Sequence, residues 1–183
     1  MRVAVLALAL LAALPAQAEI CLRGVNLSGA EFGDTPGKVD TDYTYPGEAA
    51  IQRLGKLGAS AIRLPFRWER IQPDLKGGLD IMELAYLDQT VRRINEAGLI
   101  AIIDLHNYGY YAKKQLGSKE LPAEALADVW RRLAEHYRDR PKLVFSLMNE
   151  PYDITSANWA KIQNTAIAAI RKAGAKQLLL VTG

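Results

Sequence analysis

Cysteine and histidine are nearly absent from this sequence of 183 residues, which holds one cysteine, Cys21, and two histidines, His106 and His136. A lone cysteine cannot close a disulfide within its own chain, so Cys21 is a free thiol, an intermolecular link or half of a pair whose other half lies outside this sequence. Any long basic run is also lacking. Twenty-three lysines and arginines against 20 aspartates and glutamates leave +3, a weak excess that excludes nucleic acid as an expected partner. With 50% hydrophobic and 23% charged residues and no low-complexity segment or linker, the chain is neither disordered, collagen-like nor a coiled coil. One globular domain is the default.

A membrane span is missing too. Residues 3–14 are apolar, but Pro15, Gln17 and Glu19 interrupt the run well short of the roughly 20 residues a span needs. Arg2 ahead of that run and the small residues of Ala16-Gln17-Ala18 behind it form a signal peptide over residues 1–18, with cleavage expected after Ala18. Residues 19–183 are then an exported domain, periplasmic or extracellular, with no membrane contact after cleavage.

That domain alternates strand and helix. Short, mostly continuous apolar runs at residues 20–27, 61–66, 99–105, 143–148 and 178–181 predict strands buried on both faces, as in a parallel sheet covered by helices. Between them apolar residues recur at spacings of three and four: Ile51, Leu54 and Leu57; Leu84, Leu87, Val91 and Ile94; Leu126, Val129, Trp130, Leu133 and Tyr137; Trp159, Ile162, Ala166 and Ile170. Each set lines one helix face. Gly58, Gly98 and Gly174 suit helix C-caps, Asp80 with Glu83 reads as a capping pair, and Pro122 suits a helix start. Helix-to-strand connections are short and strand-to-helix connections long, which places the chemistry at the C-terminal ends of the strands.

Those ends carry polar groups that a buried strand would otherwise exclude: Arg23 and Asn26, Arg63, Asp104 with His106 and Asn107, and Asn149 with Glu150. The segments R-G-V-N-L-S-G-A-E-F-G from Arg23, R-L-P-F from Arg63, D-L-H-N-Y from Asp104 and S-L-M-N-E-P from Ser146 resemble, in order, the first four strand-end motifs of the family 5 glycoside hydrolases, and most of all its secreted endo-β-1,4-glucanases. The resemblance implies a (β/α)8 TIM barrel and hydrolysis of β-1,4-glucosidic bonds by a retaining mechanism, with no cofactor. It implies Glu150 as acid/base, Asn149 as the hydrogen-bond partner of the sugar 2-hydroxyl, Arg63 as the partner of the catalytic nucleophile, and His106 as a donor to substrate or to a catalytic carboxylate. The chemistry agrees, because a leaving glycosidic oxygen needs a proton from a positioned carboxylic acid and the 2-hydroxyl contact strengthens in an oxocarbenium-like transition state.

Asn107, Trp68, Tyr108 and Tyr110 are the expected substrate-binding residues, since sugar rings stack on aromatics while their hydroxyls seek polar groups. Trp130 and Trp159 sit on helix faces and read as core, and His136 as a surface residue. Asp104 and His106 share a strand face and could bind a metal, but two ligands are too few. Asp104 is instead expected to orient its neighbours.

A complete barrel takes about 250 residues. Five strands and four helices are legible here, so the sequence reads as the N-terminal part of such a barrel. The resemblance puts the nucleophile on a seventh strand that is not legible here, and Glu31, Asp34 and Glu69 have no spacing that would place one opposite Glu150. The chain alone is expected to be weak or inactive, with apolar sheet edges that favour association. Mannan, xyloglucan or a β-1,3-glucan remain alternative substrates. Two other readings stay open: an exported carbohydrate-binding or barrel-assembling module without catalysis, and a metal-dependent hydrolase built on Asp104 and His106.

Overall fold

A computed structural model describes residues 22–182. The signal peptide at residues 1–18 and Cys21 lie outside the described residues, as does the start of the first expected strand.

Five parallel strands form one sheet in the order β1 (Gly24–Asn26), β2 (Ala61–Phe66), β3 (Ile100–Leu105), β6 (Leu143–Ser146) and β7 (Leu178–Leu180). Helices α1 (Glu48–Lys56), α3 (Ile81–Glu96), α4 (Ala123–Tyr137) and α5 (Ser156–Lys172) supply the crossovers. Neighbouring strands are consecutive apart from a hairpin, so the sheet is a continuous arc wound in one direction, as in part of a (β/α)8 barrel. Two short elements were not legible. A single helical turn, α2 (Trp68–Ile71), follows β2, and β4 (Tyr110–Tyr111) pairs antiparallel with β5 (Lys114–Gln115) beyond β3.

The strand register separates the two faces. Ile62, Leu64, Phe66, Ala101, Ile103, Leu105 and Phe145 are fully buried, and they join the helix residues Leu87, Val91, Ile94, Leu126, Val129, Trp130, Leu133 and Ile170 in one core. The opposite face carries Arg63, Ile102, Asp104 and Ser146, kept level by the pairs Arg63↔Ile102 and Asp104↔Ser146. Burial on both faces, expected from the apolar runs, holds in part: Ala61, Pro65, Asp104 and Val144 on the second face are buried, while Arg63, Ile102 and Ser146 there are half-buried. The outer strands β1 and β7 each pair on one side among the described residues and expose Val25, Leu178 and Leu180.

The helix ends follow the local chemistry. Asp80 accepts a hydrogen bond from the Glu83 amide at 2.8 Å, and Gly58, Gly98 and Gly174 sit at φ 86°, 84° and 87° after α1, α3 and α5. Two details differ. The Glu83 carboxylate does not return to the cap but accepts the Tyr43 and Tyr45 hydroxyls, each at 2.8 Å, fastening the β1–α1 loop to α3. Leu57, placed by periodicity on the apolar face of α1, lies beyond the last turn and is 73% exposed.

Candidate active site

Because the strands are parallel, their C-terminal ends open on one face, where Asn26, Asp104 and Asn149 meet around one side chain; Arg23, expected with them, instead precedes β1, its amide donating to Ser60 Oγ at 2.8 Å. The guanidinium of Arg63, from β2, donates through Nη1 to Asn26 Oδ1 of β1 at 2.7 Å and through Nη2 to Asp104 Oδ2 of β3 and Asn149 Oδ1 after β6, both at 2.7 Å. Four strands are thus tied together by one cation. The resemblance led Arg63 to be paired with a nucleophilic glutamate; in the described residues its carboxylate partner is Asp104.

Asp104 is the hub beneath this arrangement. It is 1% exposed, accepts the Ser146 hydroxyl at 2.6 Å, and faces His106 Nδ1 at 3.0 Å through the oxygen that also holds Arg63. With Asp104 Oδ2 accepting from Arg63, the shorter contact assigns the donor role to His106 Nδ1, which also lies 3.4 Å from Arg63 Nη2. His106 Nε2 is then left to face the Tyr108 hydroxyl, 3.1 Å away. Asp104 orients its neighbours, and among the described residues no group of three metal-ligating side chains occurs.

The orientation of Asn149 follows by the same logic. A guanidinium has no acceptor, so the amide oxygen must face Arg63, and the NH2 is left to donate outward. The next residue, Glu150, is exposed and stands at φ 41°, a left-handed backbone unusual for glutamate. With Tyr108, Tyr110, Pro151 and Tyr152 it lines an open hollow of about 400 Å³.

Two of the expected substrate contacts are corrected by burial. Trp68 is fully buried in α2: its ring packs edge-on against Tyr111 at 5.3 Å, and its Nε1 donates to Gln72 Oε1 at 3.0 Å, so no face is open to a sugar. Asn107 is 3% exposed with every polar atom engaged, Oδ1 accepting the Trp68 amide at 2.8 Å and Nδ2 donating to Glu69 Oε2 at 2.7 Å and Tyr110 O at 3.1 Å. It anchors the loop that carries Tyr108 and Tyr110 instead of touching ligand. Trp130 and Trp159 are buried and His136 is exposed, its Nε2 2.9 Å from Asp88.

Tyr152 and Glu69 complete the site, Glu69 as a holder of loops and not as a carboxylate opposite Glu150. The Tyr152 amide donates to Tyr108 O at 2.9 Å, joining the loops after β3 and β6. Glu69 Oε1 accepts the Ala112 amide at 2.8 Å, which holds the β4–β5 turn. A W-E-R triplet in a loop gives no local signal for such long-range bonds. Arg70, next in sequence, is 4% exposed and lies 3.8 Å over the Tyr43 ring. It donates to the carbonyls of Ala30 (2.7 Å), Phe32 (2.5 Å), Asp34 (3.1 Å) and Pro36 (2.9 Å), so one side chain holds the β1–α1 loop. Burial lowers its pKa.

Known proteins share this fold. The endoglucanase Cel5A of Pseudomonas stutzeri, solved with cellobiose, superposes with a TM-score of 0.84 at 39% identity over 88% of this chain and 50% of its own. The endo-β-1,4-glucanase Xac0029 of Xanthomonas axonopodis pv. citri gives 0.86 at 41% identity over 87% of this chain and 51% of its own. Endo-β-1,4-glucanase B of Aspergillus niger is 36% identical over 162 residues, 87% of this chain and 48% of that protein. The chain therefore spans about half the length of these relatives, over which its sheet matches a partial (β/α)8 barrel. The cellulase model, glycosyl hydrolase family 5, matches residues 17–183, and the chain belongs to that family.

Proposed function

We propose that this chain carries the acid/base half of a retaining endo-β-1,4-glucanase site, acting on cellulose or a related β-glucan. Glu150 protonates the leaving glycosidic oxygen and, once the glycosyl-enzyme has formed, takes a proton from the attacking water. Asn149 donates its Nδ2 to the sugar 2-hydroxyl, and His106 presents Nε2 at the edge of the same hollow. Tyr108 and Tyr110 provide the stacking surface. The observation that carries this reading is the Arg63 clamp, which fixes Asn149 with its donor outward directly before Glu150.

The retaining reaction needs a second carboxylate about 5 Å from the first. Two of the acidic side chains on this face are committed elsewhere, Glu31 to the Gly29 amide at 2.7 Å and Glu69 to Asn107 and Ala112. The family resemblance assigns the nucleophile to a segment equivalent to the part of the relatives that this chain does not span. The domain, residues 19–183, is exported behind the signal peptide at 1–18; no described helix is long and apolar enough to cross a membrane.

A graft tests the assignment. Residues 22–182 exchanged into the equivalent half of the Pseudomonas stutzeri endoglucanase should give a protein that hydrolyses a soluble β-1,4-glucan, and Glu150→Gln should lower its kcat by about 10²- to 10⁴-fold. The chain alone should release little or no sugar. Turnover by the chain alone that Glu150→Gln abolishes would overturn the placement of the nucleophile, and a graft indifferent to Glu150→Gln would overturn the role of Glu150.

A further inference from the structure

Beside the Glu150 hollow lies a second one of about 370 Å³, and the two share Tyr108 and Tyr110 as a common ridge. The second is lined in addition by Arg67, Glu69, Asn107 and Lys113. Its charges are unequally committed. Both oxygens of Glu69 already accept from neutral N–H groups, Asn107 Nδ2 and the Ala112 amide, and Glu69 Oε2 pairs with Arg67 Nε only as a long ion pair at 3.8 Å, beyond hydrogen-bond length. Arg67 Nη1 donates to His106 O at a long 3.3 Å, while its buried Nε has no hydrogen-bond partner among the described residues. The Arg67 side chain is 26% exposed through its other atoms, and a guanidinium bonds an anionic acceptor more strongly than a neutral one.

The backbone points the same way. Ala112 and Lys113 form the β4–β5 turn with φ 46° and 64°, both in the left-handed region that a two-residue hairpin turn normally fills with asparagine and glycine. Such strain persists where the surroundings enforce it, and it gathers at functional positions. Here Glu69 holds the Ala112 amide and the Tyr111 hydroxyl is bonded to Gln72 O and Pro73 O, so the turn is held from both sides while Lys113 stands exposed at the mouth of the hollow.

We infer that this second hollow is a subsite for a carboxylate carried by a β-linked sugar, held by Arg67 and Lys113, one ridge away from the sugar at Glu150. The inference rests on the glucan reading of the Glu150 hollow and adds a preference to it: acidic chains over neutral ones. The carboxylate has two chemical sources, C6 of a uronic acid residue within the chain or C1 of an oxidised chain end.

The test is a titration of the chain with three β-1,4-linked oligosaccharides of equal length: neutral, oxidised at C6, and oxidised at C1. At low ionic strength one oxidised form should bind about 5- to 10-fold more tightly than the neutral one, and which of them does identifies the source. In about 1 M salt, where the Debye length falls to about 3 Å, the ratio should fall towards one. Lys113→Gln should lower the ratio at low salt, Lys113→Arg should restore it, and Lys114→Gln, which removes an adjacent exposed charge outside the hollow, should leave it in place. Equal affinity for all three sugars, or the same loss of ratio in Lys114→Gln as in Lys113→Gln, overturns the inference while leaving the glucan reading intact. Binding of the oxidised form alone, with a ratio that depends on Lys113, upholds the anion subsite and counts against the glucan reading.

Discussion

Replacing Asp104 probes the site from underneath, and its cost can be worked from the contacts. The carboxylate is 1% exposed and receives Arg63 at 2.7 Å, His106 at 3.0 Å and Ser146 at 2.6 Å. In Asp104→Asn the amide oxygen must keep the side of Arg63 and His106, since both present donors, and the new NH2 turns to Ser146, whose hydroxyl can rotate to accept. The Ser146 hydroxyl loses the acceptor it now has, and the larger loss is that of charge: bonds to a charged group contribute about 1.5–3 kcal/mol against 0.5–1.5 for neutral ones, so two converted bonds cost about 2–3 kcal/mol. Arg63 is 28% exposed and retains Asn26 and Asn149, which brings the expectation to about 2 kcal/mol. Asp104→Leu removes the carboxylate that pairs with a half-buried guanidinium, leaving it two neutral amide acceptors, and should cost about 3–5 kcal/mol. Urea unfolding measures both, and at a typical m of about 2 kcal/mol/M the Asn variant should lose roughly 1 M in midpoint with m unchanged. A loss below about 0.5 kcal/mol in Asp104→Asn, or equal losses in the two variants, would refute the claim that Asp104 holds the site through its charge.

Other perturbations follow from single contacts. Arg70→Lys keeps the charge but offers one ammonium where a planar fork now reaches four loop carbonyls, so urea unfolding should show a loss of about 2–4 kcal/mol, with limited proteolysis appearing first at residues 30–36. Gly109→Ala would place a Cβ 2.8 Å from Ile154 Cδ1 at φ 82°, costing about 1–3 kcal/mol and loosening the contact between the loops after β3 and β6, as read by Tm and amide exchange at Tyr152. The Tyr111 hydroxyl is pushed up to about 12 by burial first and by Glu69 and Asp74 second. Its folded value lies above the unfolded value near 10, so its stabilisation is full below pH 10 and lost as pH rises through about 12; Tyr111→Phe should flatten that alkaline fall in a urea series. Trp68→Phe should lower stability through the lost bond to Gln72 without changing the affinity for a glucan oligosaccharide, because the ring is buried.

The sequence pattern revealed those parts of the fold that depend on local periodicity. Four helix faces and five strands follow from spacing, and the glycine caps follow from the left-handed turn that ends a helix before a strand. The strand-end residues Asn26, Arg63, Asp104, His106 and Asn149 were legible because polar groups at the ends of apolar strands have few structural excuses. What the sequence hid was long-range and directional. Whether Trp68 stacks on ligand or on Tyr111 depends on a one-turn helix that positions it, and Asn107 looks the same in sequence whether it binds sugar or caps Trp68. The Ala112-Lys113 turn gave no hairpin signal because its residues are the wrong ones for that turn, held there by Glu69 from 43 positions away. Arg63 and Asp104 were each noticed singly, and only the register Arg63↔Ile102, which sets Asp104 two residues further along the same face, shows them as a pair.

Titration of a neutral β-1,4-linked glucose pentasaccharide into the isotopically labelled protein, followed by NMR, tests the central claim most directly. The account predicts saturable shifts at the Asn149 side-chain NH2 and at the amides of Tyr108, Tyr110, Glu150 and Tyr152, with the oligosaccharide recovered uncleaved. Shifts confined to other surfaces, or none at about 10 mM ligand, where even millimolar affinity would register, would contradict it.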